Sequence, residues 1–317
     1  MRRVKFSNKE ILKKTITCAV IVSSLAFSAS SAMAEEISIT NGLENPAANS
    51  IRNKSYYSSG NVLNLDSQSN FEVYGNIYEG SISGVANLII NGNNSSITSK
   101  STNENANYGY KITDGSTIQI KDLTFDSFGY KEDVDWFVGS SKYSYGGGLY
   151  IQDDKSSVNL SNVSYTNSSL KGDGNMTATS NFYGAAIANN GSLNISDGVI
   201  KGGTINATNR WGGEPGGDAY GGAIYNTGNL TLTNVEVSSN SVTSVNNSEQ
   251  ALGGGIYTTK DITLAGGNTF FDNYDSNGNR ANDIYFESGN LLVNGNGADK
   301  VNTISSVWLH QETLTLY

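Results

Sequence analysis

The chain has 317 residues and a net charge of −9; six of its 20 Lys/Arg but only one of its 29 Asp/Glu fall in the first 34 residues. The remainder is strongly acidic and lacks the basic footprint that phosphate backbones require, which excludes nucleic acid as a partner. With 36 Gly, 18 Tyr, 2 Pro and 15% charged residues, the composition suits a sheet-rich, turn-rich exported protein rather than an acidic disordered one.

Residues 1–34 read as a secretory signal peptide. A basic stretch (Arg2, Arg3, Lys5, Lys9, Lys13, Lys14) precedes an apolar run from Ile16 to Phe27, and Ala32-Met33-Ala34 forms an A-x-A cleavage site before Glu35. The run is shorter than the ~20 residues of a membrane span. Cys18, the single cysteine, lies within it, so the mature chain is expected to carry no thiol and hence no disulfide, cysteine nucleophile or thiolate metal site. No other stretch is apolar enough for a transmembrane segment.

Residues 35–60 are irregular and are expected to cap the first turn of a solenoid, whose apolar end and strand edges would otherwise meet water. From residue 61 onward, triplets with alternate apolar residues appear: Leu63/Leu65, Phe71/Val73 and Leu88/Ile90. A repeat then becomes explicit. Tyr108-Gly109-Tyr110, Tyr145-Gly146-Gly147-Gly148-Leu149, Tyr183-Gly184-Ala185-Ala186-Ile187, Tyr220-Gly221-Gly222-Ala223-Ile224 and Leu252-Gly253-Gly254-Gly255-Ile256 begin 37, 38, 37 and 32 positions apart. Each is followed by an apolar-x-apolar triplet (Ile118/Ile120, Val158/Leu160, Leu193/Ile195, Leu230/Leu232, Ile262/Leu264) and usually by a second (Leu123/Phe125, Val163/Tyr165, Val235/Val237). Period-2 alternation excludes a helical repeat. Three short strands separated by Gly, Asn, Asp and Ser corners make one coil of a β-solenoid, so the domain over residues 61–317 is expected to be an all-β, single-stranded parallel β-helix. Lining up the coils from their first residue predicts one buried column of Ile112, Leu149, Ile187, Ile224, Ile256 and Ile284.

Between the third strand of a coil and the next Tyr-Gly corner the sequence carries variable polar excursions, at about 126–144, 166–182, 206–219 and 241–251. Leaving from one point of the coil, they are expected to line one edge, the usual recognition face of repeat proteins. Trp136, Phe137, Arg210 and Trp211 are the candidate binding residues there. After Asn282-Asp283-Ile284-Tyr285 comes a shorter coil and an unfinished one, and the chain reads as truncated at its C-terminus.

Gly221-Gly222-Ala223-Ile224 and Phe270-Phe271-Asp272-Asn273 resemble the GGA[ILV] and FxxN signatures of polymorphic outer-membrane proteins. Asn282-Asp283-Ile284-Tyr285 followed by Gly289-Asn290-Leu291 is similar to stretches of adhesin-type autotransporter passengers. The resemblance spans about residues 60–317. It implies a right-handed parallel β-helix at a bacterial cell surface, an adhesin or surface scaffold contacting a host or neighbouring-cell protein or glycan. A C-terminal translocating barrel, which needs many alternating segments of about ten residues, is missing from the sequence and would be needed for membrane anchoring.

The enzyme alternative is a polysaccharide lyase or hydrolase, since parallel β-helices host such activities. Asp153-Asp154 is the main acidic pair, but it sits in a corner where Asp is a routine turn former. His310 is the sole histidine, which leaves little room for a histidine triad. The Gly runs match no phosphate loop. Asp272, Asp275 and Asp283 could approach calcium at a turn but lack the regular calcium-roll pattern. No cofactor or metal is expected. Tyr150, Tyr225, Tyr257 and Tyr285, interrupted by Ala188, are expected to form a ring ladder at about 4.8 Å, read mainly as sheet cover and alternatively as a sugar-stacking strip.

Overall fold

The computed structural model describes residues 2–4, 35–39, 51–74, 76–77, 80–100, 108–132, 142–174, 180–209, 217–244, 251–275, 280–294 and 302–310. Nearly all of its strands pair in parallel with the equivalent strands of the coils before and after, which makes the chain an all-β parallel β-helix. One coil shows the plan. Ile187–Asn189 leaves the glycine corner, Ser192–Ser196 and Val199–Lys201 follow across tight bends, Thr204–Asn209 runs outward, and Ala219–Tyr220 returns to the next corner.

The sheets are built from columns. Leu88, Ile118, Val158, Leu193, Leu230, Ile262 and Leu291 stack in register, and Ile90, Ile120, Leu160, Ile195, Leu232, Leu264 and Val293 form the neighbouring column. All but Val293 are buried, in one continuous core. Burial of a Leu or Ile is worth about 1.5–3 kcal/mol, too little for one coil to offset the ordering of its own backbone, so stability is a property of the stack. The second triplet also stacks, through Phe125, Tyr165, Ile200, Val237, Phe270 and Ile304.

Two expectations are corrected. Ile112 does not share a column with Leu149: it pairs with Ile151, and Tyr110 takes the place beneath Leu149. The column is therefore Tyr110, Leu149, Ile187, Ile224, Ile256, Ile284 and Val307. The corner at Gly109 is two residues shorter than Gly146-Gly147-Gly148, so alignment from the first tyrosine runs two residues too far.

The excursions, in turn, are longer in sequence than in space. Their first residues form stacked strands (Gly129–Glu132, Ser169–Gly174, Thr204–Asn209, Ser241–Ser244). Their last residues do the same (Lys142–Tyr145, Ser180–Tyr183, Ala219–Tyr220, Ala251–Leu252). A coil thus has five strands rather than three. Leu170, Ile205, Ala207 and Val242 meet Phe182, Ala185, Ala219 and Ala251 in a second, smaller core.

At the ends, Glu36–Ile39 lies within the segment expected to be a cap and adds a parallel strand to Val62–Leu65. Arg2–Val4, within the stretch read as a signal peptide, pairs antiparallel with Val307–Leu309. Among the described residues no helix is long and apolar enough to cross a membrane.

Candidate functional site

Among the described residues, the glycine corner sets the geometry of an extended aromatic surface. Gly146, Gly184, Gly221 and Gly253 all have positive φ. The residue before each corner is Tyr145, Tyr183, Tyr220 or Leu252, and these four stack in register. Beyond the corner, the middle residue of each short strand points outward in a second column: Lys111, Tyr150, Ala188, Tyr225, Tyr257, Tyr285 and Trp308. The sharp corner lays the two columns side by side.

The rings then pack on one another. Tyr145 is stacked between Tyr150 (4.9 Å between centroids, 9° between planes) and Tyr183 (4.7 Å, 12°). Tyr225, Tyr257 and Tyr285 continue as a stack at 5.5 and 5.6 Å, both at 7°. Where Ala188 interrupts the column, Tyr183 closes edge-on against Tyr225 at 4.8 Å, so the gap visible in sequence is bridged from the neighbouring column. Offset stacking of this kind adds about 0.5–1.5 kcal/mol per pair beyond burial. It also uses up ring faces, so along most of its length the strip offers edges and hydroxyls outward rather than flat platforms.

Burial pushes the Tyr150 and Tyr225 phenols up to about 12 and raises those of Tyr145, Tyr183, Tyr220 and Tyr257 as well. Asp218 hydrogen-bonds Tyr220, but burial outweighs that contact and raises its carboxyl. Exposure falls along the strip: Tyr145, Tyr150, Tyr183, Tyr220 and Tyr225 are half-buried, whereas Tyr257, Tyr285 and Trp308 are buried.

At the Tyr150 end the surface opens into a cavity of about 320 Å³, whose walls include Asn76, Lys111, Tyr143, Tyr145, Tyr150 and Gln152. Lys111 Nζ stands over the Tyr150 ring, 5.8 Å from its centroid. Tyr143 is 58% exposed at the rim. The tyrosine column was legible in the sequence but this cavity was not: two copies of the Tyr-Gly corner line it, and Asn76, Lys111, Tyr143 and Gln152, which complete it, lie outside the repeat.

The other candidates are placed as follows. Trp136, Phe137, Arg210 and Trp211 lie outside the described residues. Asp153 is the acceptor of a turn, taking hydrogen bonds from the Lys155 and Ser156 amides at 3.0 and 2.9 Å and from Ser156 Oγ. Partial burial raises its carboxyl, but these donors outweigh it and the pKa is lowered. Asp283 Oδ2 accepts from the Ser305 and Ser306 amides and Oδ1 from Asn273, and Asp275 accepts from Asn282. His310 is exposed, with Nδ1 3.3 Å from the Tyr285 hydroxyl and Nε2 3.7 Å from Glu287. Among the described residues, no group of three or more His, Cys, Asp or Glu could hold a metal ion.

No family model, curated protein or solved structure matches the chain.

Proposed function

We propose that this chain is an exported, non-enzymatic β-helix of the autotransporter-passenger type, working as an adhesin or surface scaffold that holds a protein or glycan of a host or neighbouring cell. The observation that carries this reading is the half-exposed tyrosine face, held in register by glycine corners over successive coils and ending in an open cavity. Aromatic side chains on a rigid scaffold are efficient anchors because little entropy is lost on contact. The inward faces, by contrast, are committed to stacking, and the best acidic corner, at Asp153, is tied into its own turn.

Particles coated with the purified protein should attach saturably to epithelial cells or extracellular matrix, and soluble protein should compete. Absence of attachment would overturn the reading. Release of reducing ends from an acidic polysaccharide, lost on Asp153→Asn with Asp154→Asn, would replace it with the enzyme alternative. Trp136→Ser with Trp211→Ser distinguishes two surfaces: lost attachment places the contact on the excursion edge, and retained attachment places it on the tyrosine face.

A further inference from the structure

A stack of rings must end, and the two ends of this one differ. Toward the C-terminal coils it runs into buried Tyr285 and Trp308. At the other end, Tyr145 covers one face of Tyr150, and the residue beneath Tyr150 in the preceding coil is Lys111 instead of another aromatic ring. The outer face of Tyr150 is thus covered by an ammonium group rather than by a ring. No carboxylate of the described residues pairs with Lys111. The exposed ring of Tyr143, a cation with no acidic partner among the described residues and the amides of Gln152 and Asn76 therefore converge on one cavity.

We propose that this cavity binds one carboxylated pyranose of an acidic polysaccharide. The sugar's C–H face lies on the exposed ring of Tyr143, its carboxylate pairs with Lys111 Nζ, and its hydroxyls reach Gln152 and Asn76. The proposal rests on the binding reading above and names its ligand. At about 320 Å³ the cavity is at the small end of ligand sites, which run from about 300 to 1,000 Å³, so it fits a ring or two rather than a long segment. An acidic peptide is the competing occupant, because Lys142–Tyr145 ends its sheet beside the cavity among the described residues; tetraglutamate in the test below separates the two. A neutral sugar would leave the lysine without the anion that its partly desolvated position favours. A single ring held this way binds weakly, with Kd on the order of 1 mM, and a surface carrying many copies gains through multivalency.

The test is titration of the full-length protein with tetragalacturonate and tetramannuronate, with neutral galactotetraose and tetraglutamate as comparisons, read by tyrosine fluorescence and calorimetry. At least one uronide should bind. Lys111→Gln should weaken it about tenfold, and Tyr143→Ser should weaken it less, with thermal unfolding of both variants unchanged. Absence of binding by both uronides would overturn the proposal. So would equal binding of galactotetraose or tetraglutamate, or indifference to Lys111→Gln in a folded variant. If coated particles attach to cells and neither uronide binds, the adhesin reading stands and this site falls. If a uronide binds through Lys111 and particles do not attach, the site stands and the adhesin reading falls.

Discussion

Gly221 shows why the Tyr-Gly motif could be read as a corner and why no other residue suits it. Its φ is +72°, and a Cβ there would lie 2.1 Å from the Ile224 carbonyl oxygen. Gly115 has nearly the same φ, +71°, but the nearest atom to an added Cβ is Lys155 Cβ at 3.7 Å. The two separate backbone strain from crowding. Gly115→Ala should cost about 1 kcal/mol, the price of a left-handed L-residue. Gly221→Ala should cost about 2–4 kcal/mol, because fixed backbone must also move. Denaturant unfolding of both variants measures the difference, and equal losses would remove crowding as the cause. Sequence was a weaker guide where other residues take the same conformation. Asp197, Asn234 and Ser239 all have positive φ; Asp and Asn are types that tolerate it, but Ser239 lies in the polar run Ser238-Ser239-Asn240-Ser241, where nothing marks it. The slip at Ile112 has the same origin: counting from Tyr108 assumes a corner of constant length, and hydrogen bonding shows that the length varies.

The strands that sequence missed are those with the least to bury. Ser169–Gly174 and Ser241–Ser244 each contribute one large apolar side chain, Leu170 and Val242, to the second core, too thin an alternation to separate from a loop. The Leu/Ile triplets of the main core, by contrast, were legible because two residues repeat in every coil. Polar ladders hold the bends between strands. Asn240 is fully buried: Nδ2 donates to the Ile200 carbonyl at 3.1 Å and to Asn273 Oδ1 at 2.9 Å, while Oδ1 accepts from the Gly203 amide at 2.7 Å. Asn273 in turn donates to Asp283 and to the Val237 carbonyl, so the asparagine of the FxxN-like stretch is a bracket between coils. Asn240→Ala strands buried partners in two coils and should cost about 2–4 kcal/mol. Asn194, on the exposed face, donates only to Asn159 Oδ1 at 2.8 Å, and Asn194→Ala should change stability by no more than about 0.5 kcal/mol. Similar losses from the two, in the same unfolding assay, would mean that the ladders are ornamental to the bends.

For the molecule as a whole, the tyrosines couple stability to alkaline pH. Burial raises the phenols of Tyr110, Tyr145, Tyr150, Tyr165, Tyr183, Tyr220, Tyr225 and Tyr257 above the ordinary value of 10.0. The fold favours their neutral form, so this contribution is fully present below pH 10 and is lost as pH rises from there through the folded values, which for Tyr150 and Tyr225 are about 12. Phenolate absorbance from these rings should lag and then appear together with loss of the far-ultraviolet β signal, in one cooperative step. A smooth titration centred on pH 10 with the β signal intact would contradict the buried ladder. The register of that ladder also makes length a separable variable. Tyr183 and Tyr220 occupy equivalent points of adjacent coils, as do Ile187 and Ile224, so excision of residues 184–220 would join two chain ends that already share a position in cross-section. Tyr150 would then adjoin Tyr225 without the Ala188 gap, and the cavity at Lys111 would keep its own walls. Such a protein could be lengthened or shortened by whole turns, its span changing in steps of one strand spacing while the Lys111 cavity stays the same.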